Sequence, residues 1–202
     1  MNKKLKILAA SDVHGDSLQC VKLADRAVRE GVDFVVLCGD LTSPMQNSNI
    51  IKPFLQRGKK VLFVPGNHDG FALGDFLAQY YKITNLHRNT AVYETLGFFG
   101  CGGANIGWEA LTDQEAFEHL QYSFYQLPLT EKKIMVTHVH PSGTIVDRIL
   151  PNAGSLGVRK ALERFQPDLL LCGHVHEAAG VEDHIGKTRV VHVGREGTLL
   201  EL

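Results

Sequence analysis

The sequence predicts an α/β protein built in layers, and three observations carry that prediction. Short apolar runs of strand length, rich in β-branched residues, recur along the chain as KILAA, DFVVLC, VLFV, IMVT and DLLLC. Stretches with helical periodicity or helix caps lie among them. Each of the runs ends at once in polar side chains, so a buried strand delivers carboxylates, amides or imidazoles to one edge of a core. At 202 residues and 44% hydrophobic, the chain can bury a sizeable core, and no linker, repeat or low-complexity stretch divides it. A single domain over 1–202 is expected.

Leu5 to Ala10 is the first strand and runs into Ser11-Asp12-Val13-His14-Gly15-Asp16. Asp12 and His14 stand two apart, so in an extended segment both project to one side. That spacing suits a carboxylate and an imidazole gripping one cation. A helix follows from Ser17 to Glu30, with Leu18, Val21, Ala24, Ala27 and Val28 as its apolar face and Gly31 as its stop. Asp33 to Cys38 is the second strand and ends at Gly39-Asp40. Asn49 to Gln56 is expected to be helical despite Pro53. Val61 to Val64 is the next strand. Pro65-Gly66 ends it, because proline lacks the ladder donor and glycine tolerates the tight turn. Asn67, His68 and Asp69 follow, and then a helix from Phe71 to Tyr80.

Ala91 to Thr95 and Gly97 to Cys101 read as short strands, the second ending in Gly102-Gly103. Trp108, in the next loop, is expected to close the edge of the core, with covering a pocket as the alternative. Thr112 and Glu115 have the spacing of a capping box for a helix running to Tyr125. Ile134 to Thr137 is a strand that ends at His138-Val139-His140-Pro141. In the loop from Ser142 to Gly154, Asp147 and Arg148 read as a surface pair, with help in holding a phosphate as the alternative. A helix from Ser155 to Phe165 leads to the strand Asp168 to Cys172, which ends at Gly173-His174-Val175-His176. Val181 to Ile185, Arg189 to Val193 and Leu199 to Leu202 finish the chain as antiparallel strands, with Gly186-Lys187 as a hairpin turn.

A net charge of −1 gives no global basic field for nucleic acid or an anionic membrane. The four cysteines, Cys20, Cys38, Cys101 and Cys172, lack CxxC pairing. With no signal peptide or long apolar span in view, they read as reduced thiols of a cytoplasmic protein.

The informative feature is what stands at the strand ends: Asp12 and His14, Asp40, Asn67 and His68, His138, and His174 and His176. In layered α/β folds the loops at the carboxyl ends of the strands share one edge, so these groups can converge. Mixed imidazole, carboxylate and amide donors suit Mn, Fe, Co or Zn better than a thiolate zinc site or an all-oxygen calcium site. They are too many for one ion. Two ions about 3.5–4 Å apart, bridged by a shared carboxylate, would use them all.

Asp12-Val13-His14, Gly39-Asp40, Gly66-Asn67-His68-Asp69, His138 and Gly173-His174-Val175-His176, in that order, resemble the motifs of the calcineurin-like metallophosphoesterase superfamily. The chain looks like its compact branch of cyclic-nucleotide phosphodiesterase-like proteins. The resemblance implies a four-layer α/β/β/α sandwich, with two mixed sheets packed face to face and helices outside. It also implies two divalent or mixed-valence metal ions, Mn2+ first, with Fe, Zn, Ni or Co as alternatives. One ion would be held by Asp12, His14, Asp40 and His176. The other would be held by Asp40, Asn67, His138 and His174, with Asp40 as the bridge. A metal-bound hydroxide would be the nucleophile, and His68 would contact the phosphate as the candidate general acid. Asp69 would orient a histidine. Two segments depart from similar proteins, which often read His-x-Pro-Pro around His140 and Asn-Pro-Gly where this chain has His192-Val193-Gly194.

The other histidines have blander readings. His87, His119 and His184 read as satisfied core residues and His192 as structural. His140 stays open between a substrate contact and an exposed loop residue. Cys38 and Cys172 read as packing. The expected function is metal-dependent hydrolysis of phosphodiesters, on a small phosphoester substrate such as a nucleotide, with no membrane partner. The alternatives are a phosphomonoesterase, a nuclease and a non-catalytic metal-binding scaffold. A nuclease is opposed by the absence of a basic stripe.

Overall fold

In the computed structural model, which describes residues 4–44, 49–108 and 110–202, strands and helices alternate through most of the chain. They run β1 (Lys6–Ala10), α1 (Ser17–Arg29), β2 (Phe34–Cys38), α2 (Lys52–Gln56), β3 (Lys60–Val64), α3 (Phe71–Tyr81), β4 (Thr84–Asn85), β5 (Thr90–Tyr93) and β6 (Leu96–Cys101). Then come α4 (Asp113–Gln126), β7 (Lys132–Thr137), α5 (Leu156–Phe165), β8 (Leu169–Cys172), β9 (Glu182–Ile185), β10 (Thr188–His192) and β11 (Thr198–Glu201). Helix ends follow local chemistry. The Asp16 carboxylate accepts the Gln19 amide to cap α1, and Thr112 and Glu115 form a reciprocal capping box on α4.

The strands make two mixed sheets, in the orders β11-β1-β2-β3-β4 and β5-β6-β7-β8-β10-β9. In the first, β1 to β4 are parallel and β11 runs antiparallel on the edge. In the second, β6, β7, β8 and β10 are parallel, flanked by antiparallel β5 and β9. Alternation along each strand sorts side chains to two faces. Ile7, Ala9, Val36, Leu62 and Val64 meet Phe98, Ile134, Val136 and Leu171 between the sheets. Leu8, Val35, Leu37 and Phe63 face outward onto Leu23, Ala27, Phe54 and Leu77 of α1, α2 and α3. Phe99, Met135 and Leu170 face outward onto Leu120, Val158 and Leu162 of α4 and α5. The result is a four-layer α/β/β/α sandwich, as the motifs imply. Among the described residues, no helix is long and apolar enough to cross a membrane.

Several expectations need correction. The buried face of α1 is Gln19, Cys20, Leu23, Ala24 and Ala27, whereas Leu18 and Val28 are exposed. Two apolar stripes overlap on this helix, and burial of Gln19 selects one of them, because its side-chain amide donates to the carbonyl of Arg195 at 2.7 Å. The segment before β3 is helical only over Lys52–Gln56, where Pro53 occupies the first turn and needs no donor. The short β4 has no counterpart among the expected strands. Of the last three strands, β11 leaves its predecessors and pairs with β1, while β10 runs parallel to β8. Trp108 closes nothing: it is 90% exposed.

Candidate metal centre

Because β1, β2 and β3 are parallel neighbours in one sheet, and β7 and β8 in the other, their carboxyl ends open onto one edge. Backbone ties hold the two edges together. His174 donates its amide to Asp12 Oδ2 at 3.1 Å, and Gly103 donates to the carbonyl of Pro65 at 2.9 Å. The strands do not simply run off into extended loops. Asp12 (φ 59°), His14 (φ 45°), Asp40 (φ 51°) and His174 (φ 78°) all adopt left-handed backbone, unusual for residues other than glycine. Asp12 and His14 thus converge through a kink rather than through extended alternation. Such conformations cost about 1–3 kcal/mol each and persist where surrounding structure over-determines them. Here Asp12 donates its amide to the carbonyl of Gly39 at 3.0 Å, and His14 to that of Asp40 at 2.9 Å.

The converged side chains fall into two groups, Asp12 with His14 and His176, and Asp40 with His138 and His174. His174 and His176, two apart in sequence, therefore serve different groups. Asp40 Oδ2 lies 3.4 Å from His138 Nε2, 3.8 Å from His14 Nε2 and 4.0 Å from His68 Nε2, so it faces both groups. His176 Nε2 lies 3.5 Å from Asp12 Oδ1 and 3.3 Å from His14 Nε2. Asn67 Oδ1 lies 3.0 Å from His138 Nε2. His68 stands at the mouth with its side chain 58% exposed. Its amide donates to Asp40 Oδ1 at 3.0 Å, which anchors the loop while leaving the ring free.

This arrangement fits bound cations. Asp12 Oδ1 is buried and finds no hydrogen-bond partner among the described residues. The His138 Nδ1 proton is directed at the carbonyl of Cys38, 2.7 Å away, so Nε2 turns its lone pair toward Asn67 Oδ1. Two acceptors meet there unless a proton or a metal ion lies between them. Of the two, a proton is what the charge of Asp40 favours on His138. Burial alone would raise the Asp40 pKa, but hydrogen bonding and charge from His138, with the His68 amide, hold it well below the usual carboxylate range. Burial alone would lower His138, yet its bond to Asp40 raises it to about 9. His174, lowered to about 4 by burial and then by the charge of His138, stays neutral and able to ligate.

Residues around this cluster have other partners than expected. The Asp69 carboxylate has no hydrogen bond to a histidine among the described residues: it accepts the amides of Leu41, Thr42 and Gly66, and the Thr42 hydroxyl. His140 is not an exposed loop residue. It is fully buried, with Nε2 3.0 Å from Asp147 Oδ1. Asp147 is no surface partner of Arg148, since it also accepts the amides of Gly143 and Gly154. His192 is buried, as a structural residue should be, although neither ring nitrogen has a hydrogen-bond partner among the described residues. Sequence reasoning missed Arg195. With Asp12, His14, His176, Ala179 and Gly194 it lines a cavity of about 120 Å³, and Asp16 holds its guanidinium at 2.6 Å. The signal lay in its place directly after the departing segment His192-Val193-Gly194.

Two parallel-strand edges meeting across a sandwich, with imidazoles and carboxylates gathered between them, define a metal-dependent hydrolase type of architecture. Residues 5–178 match the calcineurin-like phosphoesterase family, and the chain belongs to it. Among proteins of curated function, none matches the chain. Among solved structures, the TT1561 protein of Thermus thermophilus is similar over 98% of this chain and 95% of its own, at 21% identity and a TM-score of 0.76. An archaeal phosphodiesterase is similar over 98% of this chain and 100% of its own, at 18% identity and a TM-score of 0.55. A dimetal phosphatase from Danio rerio is similar over 96% of this chain and 88% of its own, at 11% identity and a TM-score of 0.62. At these identities the likeness is one of fold.

Proposed function

We propose that this phosphoesterase hydrolyses phosphodiester bonds at a dinuclear metal centre. The position of Asp40 carries the proposal, because one carboxylate faces both imidazole groups. Asp12, His14, Asp40 and His176 would hold one ion, and Asp40, Asn67, His138 and His174 the other. The N/O donor set, without thiolate, favours Mn2+ over a structural zinc. When bound, such a pair supplies Lewis acidity, acidifying a coordinated water and clamping phosphoryl oxygens.

The protein's own groups do the rest. His68, exposed at the mouth and edge-to-face with the His14 ring at a centroid distance of 5.5 Å, is placed to give a proton to the leaving oxygen. Arg195, fixed by Asp16, offers a positive charge to a phosphate oxygen at the cavity wall. The left-handed turns at Asp12, His14, Asp40 and His174 hold the donors in place before substrate arrives. The archaeal phosphodiesterase among the fold relatives supports the diester reading. The family match over residues 5–178 supports one domain, and free, buried cysteines support a cytoplasmic setting.

The test uses bis(p-nitrophenyl) phosphate and p-nitrophenyl phosphate after chelation and Mn2+ add-back. Restored cleavage that favours the diester is the expected result. Preference for the monoester would make the protein a phosphomonoesterase. No turnover with any divalent metal, despite two bound ions, would make it a binding scaffold.

A further inference from the structure

A second donor cluster stands apart from the proposed dinuclear centre. Cys101, at the end of β6, has its Sγ 4.0 Å from Nδ1 of His119 on α4. The ring of His87, from the turn between β4 and β5, meets that of His119 edge to face with centroids 5.0 Å apart. One donor atom from each of the three residues lies within 4.8 Å of the other two. We propose that His87, Cys101 and His119 form a further metal site, suited to a Zn2+-class ion.

The donor set argues for that class. One thiolate and two imidazoles are borderline-soft donors, with no carboxylate to favour a hard cation. Three protein ligands leave a fourth position, which the half-buried His119 opens toward solvent. Binding forms an S–Zn bond and breaks the S–H bond of Cys101, with the proton passing to solvent and no change of oxidation state. The surroundings orient the donors. Phe71 stacks on His87 at 4.1 Å between centroids, which fixes the ring plane. Arg88 adds positive charge nearby but is drawn over the Tyr122 ring, and Glu115 and Glu118 of α4 oppose it beside His119.

Two kinds of cost are visible. Burial pushes the Cys101 thiol up to about 12, so the thiolate forms against that penalty. The Gly102 amide donates to His87 Nδ1 at 3.0 Å. Ligation through Nδ1 gives up that bond, and ligation through Nε2 moves the ring proton against the amide. Either way the site forms at the expense of that bond and of the one the Cys101 thiol donates to the Gly102 carbonyl at 3.3 Å, a loss set against three metal–ligand bonds. The ion would join β6, α4 and the β4–β5 turn at one corner. From there the chain runs on to Gly107, whose backbone packs so closely on Asn67 that an added Cβ would lie 2.7 Å from Nδ2.

The test reads thiolate ligation directly. Co2+ added in excess to the intact protein should produce a near-ultraviolet thiolate-to-cobalt charge-transfer band, which a centre of imidazole, carboxylate and amide donors does not give. The band should persist in His14→Ala, which disturbs the dinuclear centre, and vanish in Cys101→Ser and in His119→Ala. Zn2+ analysis should give three ions per chain for the wild type and two for both cluster variants. His119→Ala should keep its helical circular dichroism and any diesterase activity, which separates loss of the ion from loss of the fold. Absence of the band from the wild type, or a band indifferent to both cluster substitutions, would overturn the proposal. Neither result depends on turnover, so the phosphodiesterase reading stands or falls separately.

Discussion

The carboxylate of Asp69 accepts the backbone amide of Leu41 at 2.9 Å, tying the loop after β3 to the loop after β2. The same carboxylate takes the amides of Thr42 at 2.8 Å and Gly66 at 2.7 Å, so it fixes the chain just after Asp40 and just before Asn67. Asp69→Ala leaves buried donors without a partner and is expected to cost about 3–5 kcal/mol, by the penalty for breaking a buried charged network. Asp69→Asn should recover part of that. Urea unfolding of both variants, with metal content measured in parallel, checks the prediction. A metal-replete Asp69→Ala of wild-type stability would contradict it.

His68→Ala should bind the same number of ions as the wild type, because the ring projects from the mouth, 4.0 Å from Asp40 Oδ2, while the backbone amide makes the hydrogen bond to Asp40. Turnover should fall by about 10²–10⁴-fold, the usual contribution of a positioned general acid. The loss should be smaller for p-nitrophenolate than for a poorer leaving group such as an alkoxide, since a good leaving group needs less protonation. An equal loss with both would assign His68 to binding instead.

Burial, then the charge of nearby His140, lowers the pKa of His192 to about 3. An unfolded histidine titrates near 6.5, so between about pH 3 and 6.5 the unfolded state binds a proton that the native state does not. Stability from this residue is therefore intact above about 6.5 and falls as the pH drops through that window. His192→Leu removes the proton uptake and two unpartnered ring nitrogens. In chelated protein it should be near-neutral at pH 7 and about 2–3 kcal/mol more stable than wild type at pH 4.5. Parallel wild-type and variant curves of stability against pH would refute this account.

Gly39 and Gly31 both have positive φ, 94° and 64°, yet alanine should act differently at the two. At Gly39 an added Cβ runs into the His138 ring, whereas at Gly31 it meets nothing within 4 Å. Gly39→Ala should cost about 2–4 kcal/mol and disturb metal binding, by strain and overpacking together. Gly31→Ala should cost about 1 kcal/mol from the backbone alone. Thermal unfolding of the pair tests whether the close approach to His138 is what Gly39 serves.

Strands β1, β2, β3, β7 and β8 were legible because each is a short run apolar on both faces, a pattern that local chemistry imposes on a buried parallel strand. The donors were legible for a related reason: Asp12, Asp40, Asn67, His138 and His174 follow such runs directly, where polar groups stand out. The capping box of Thr112 and Glu115 is likewise a matter of local spacing. Pairings made across the fold left no such trace. Whether α1 buries Leu18 or Leu23 depends on the carbonyl of Arg195, far along the chain, meeting Gln19. Asp69 reads as a partner for histidine until the loops after β2 and β3 close around it, and their orphan amides claim the carboxylate first. His140 and Asp147 pair inside rather than at the surface, and His87, Cys101 and His119 come together from three separate elements. Local sequence determined the buried parallel strands and what they carry at their ends. Which polar group meets which was decided only in the folded chain, because burial forces each donor and acceptor to take the partner that packing brings within reach.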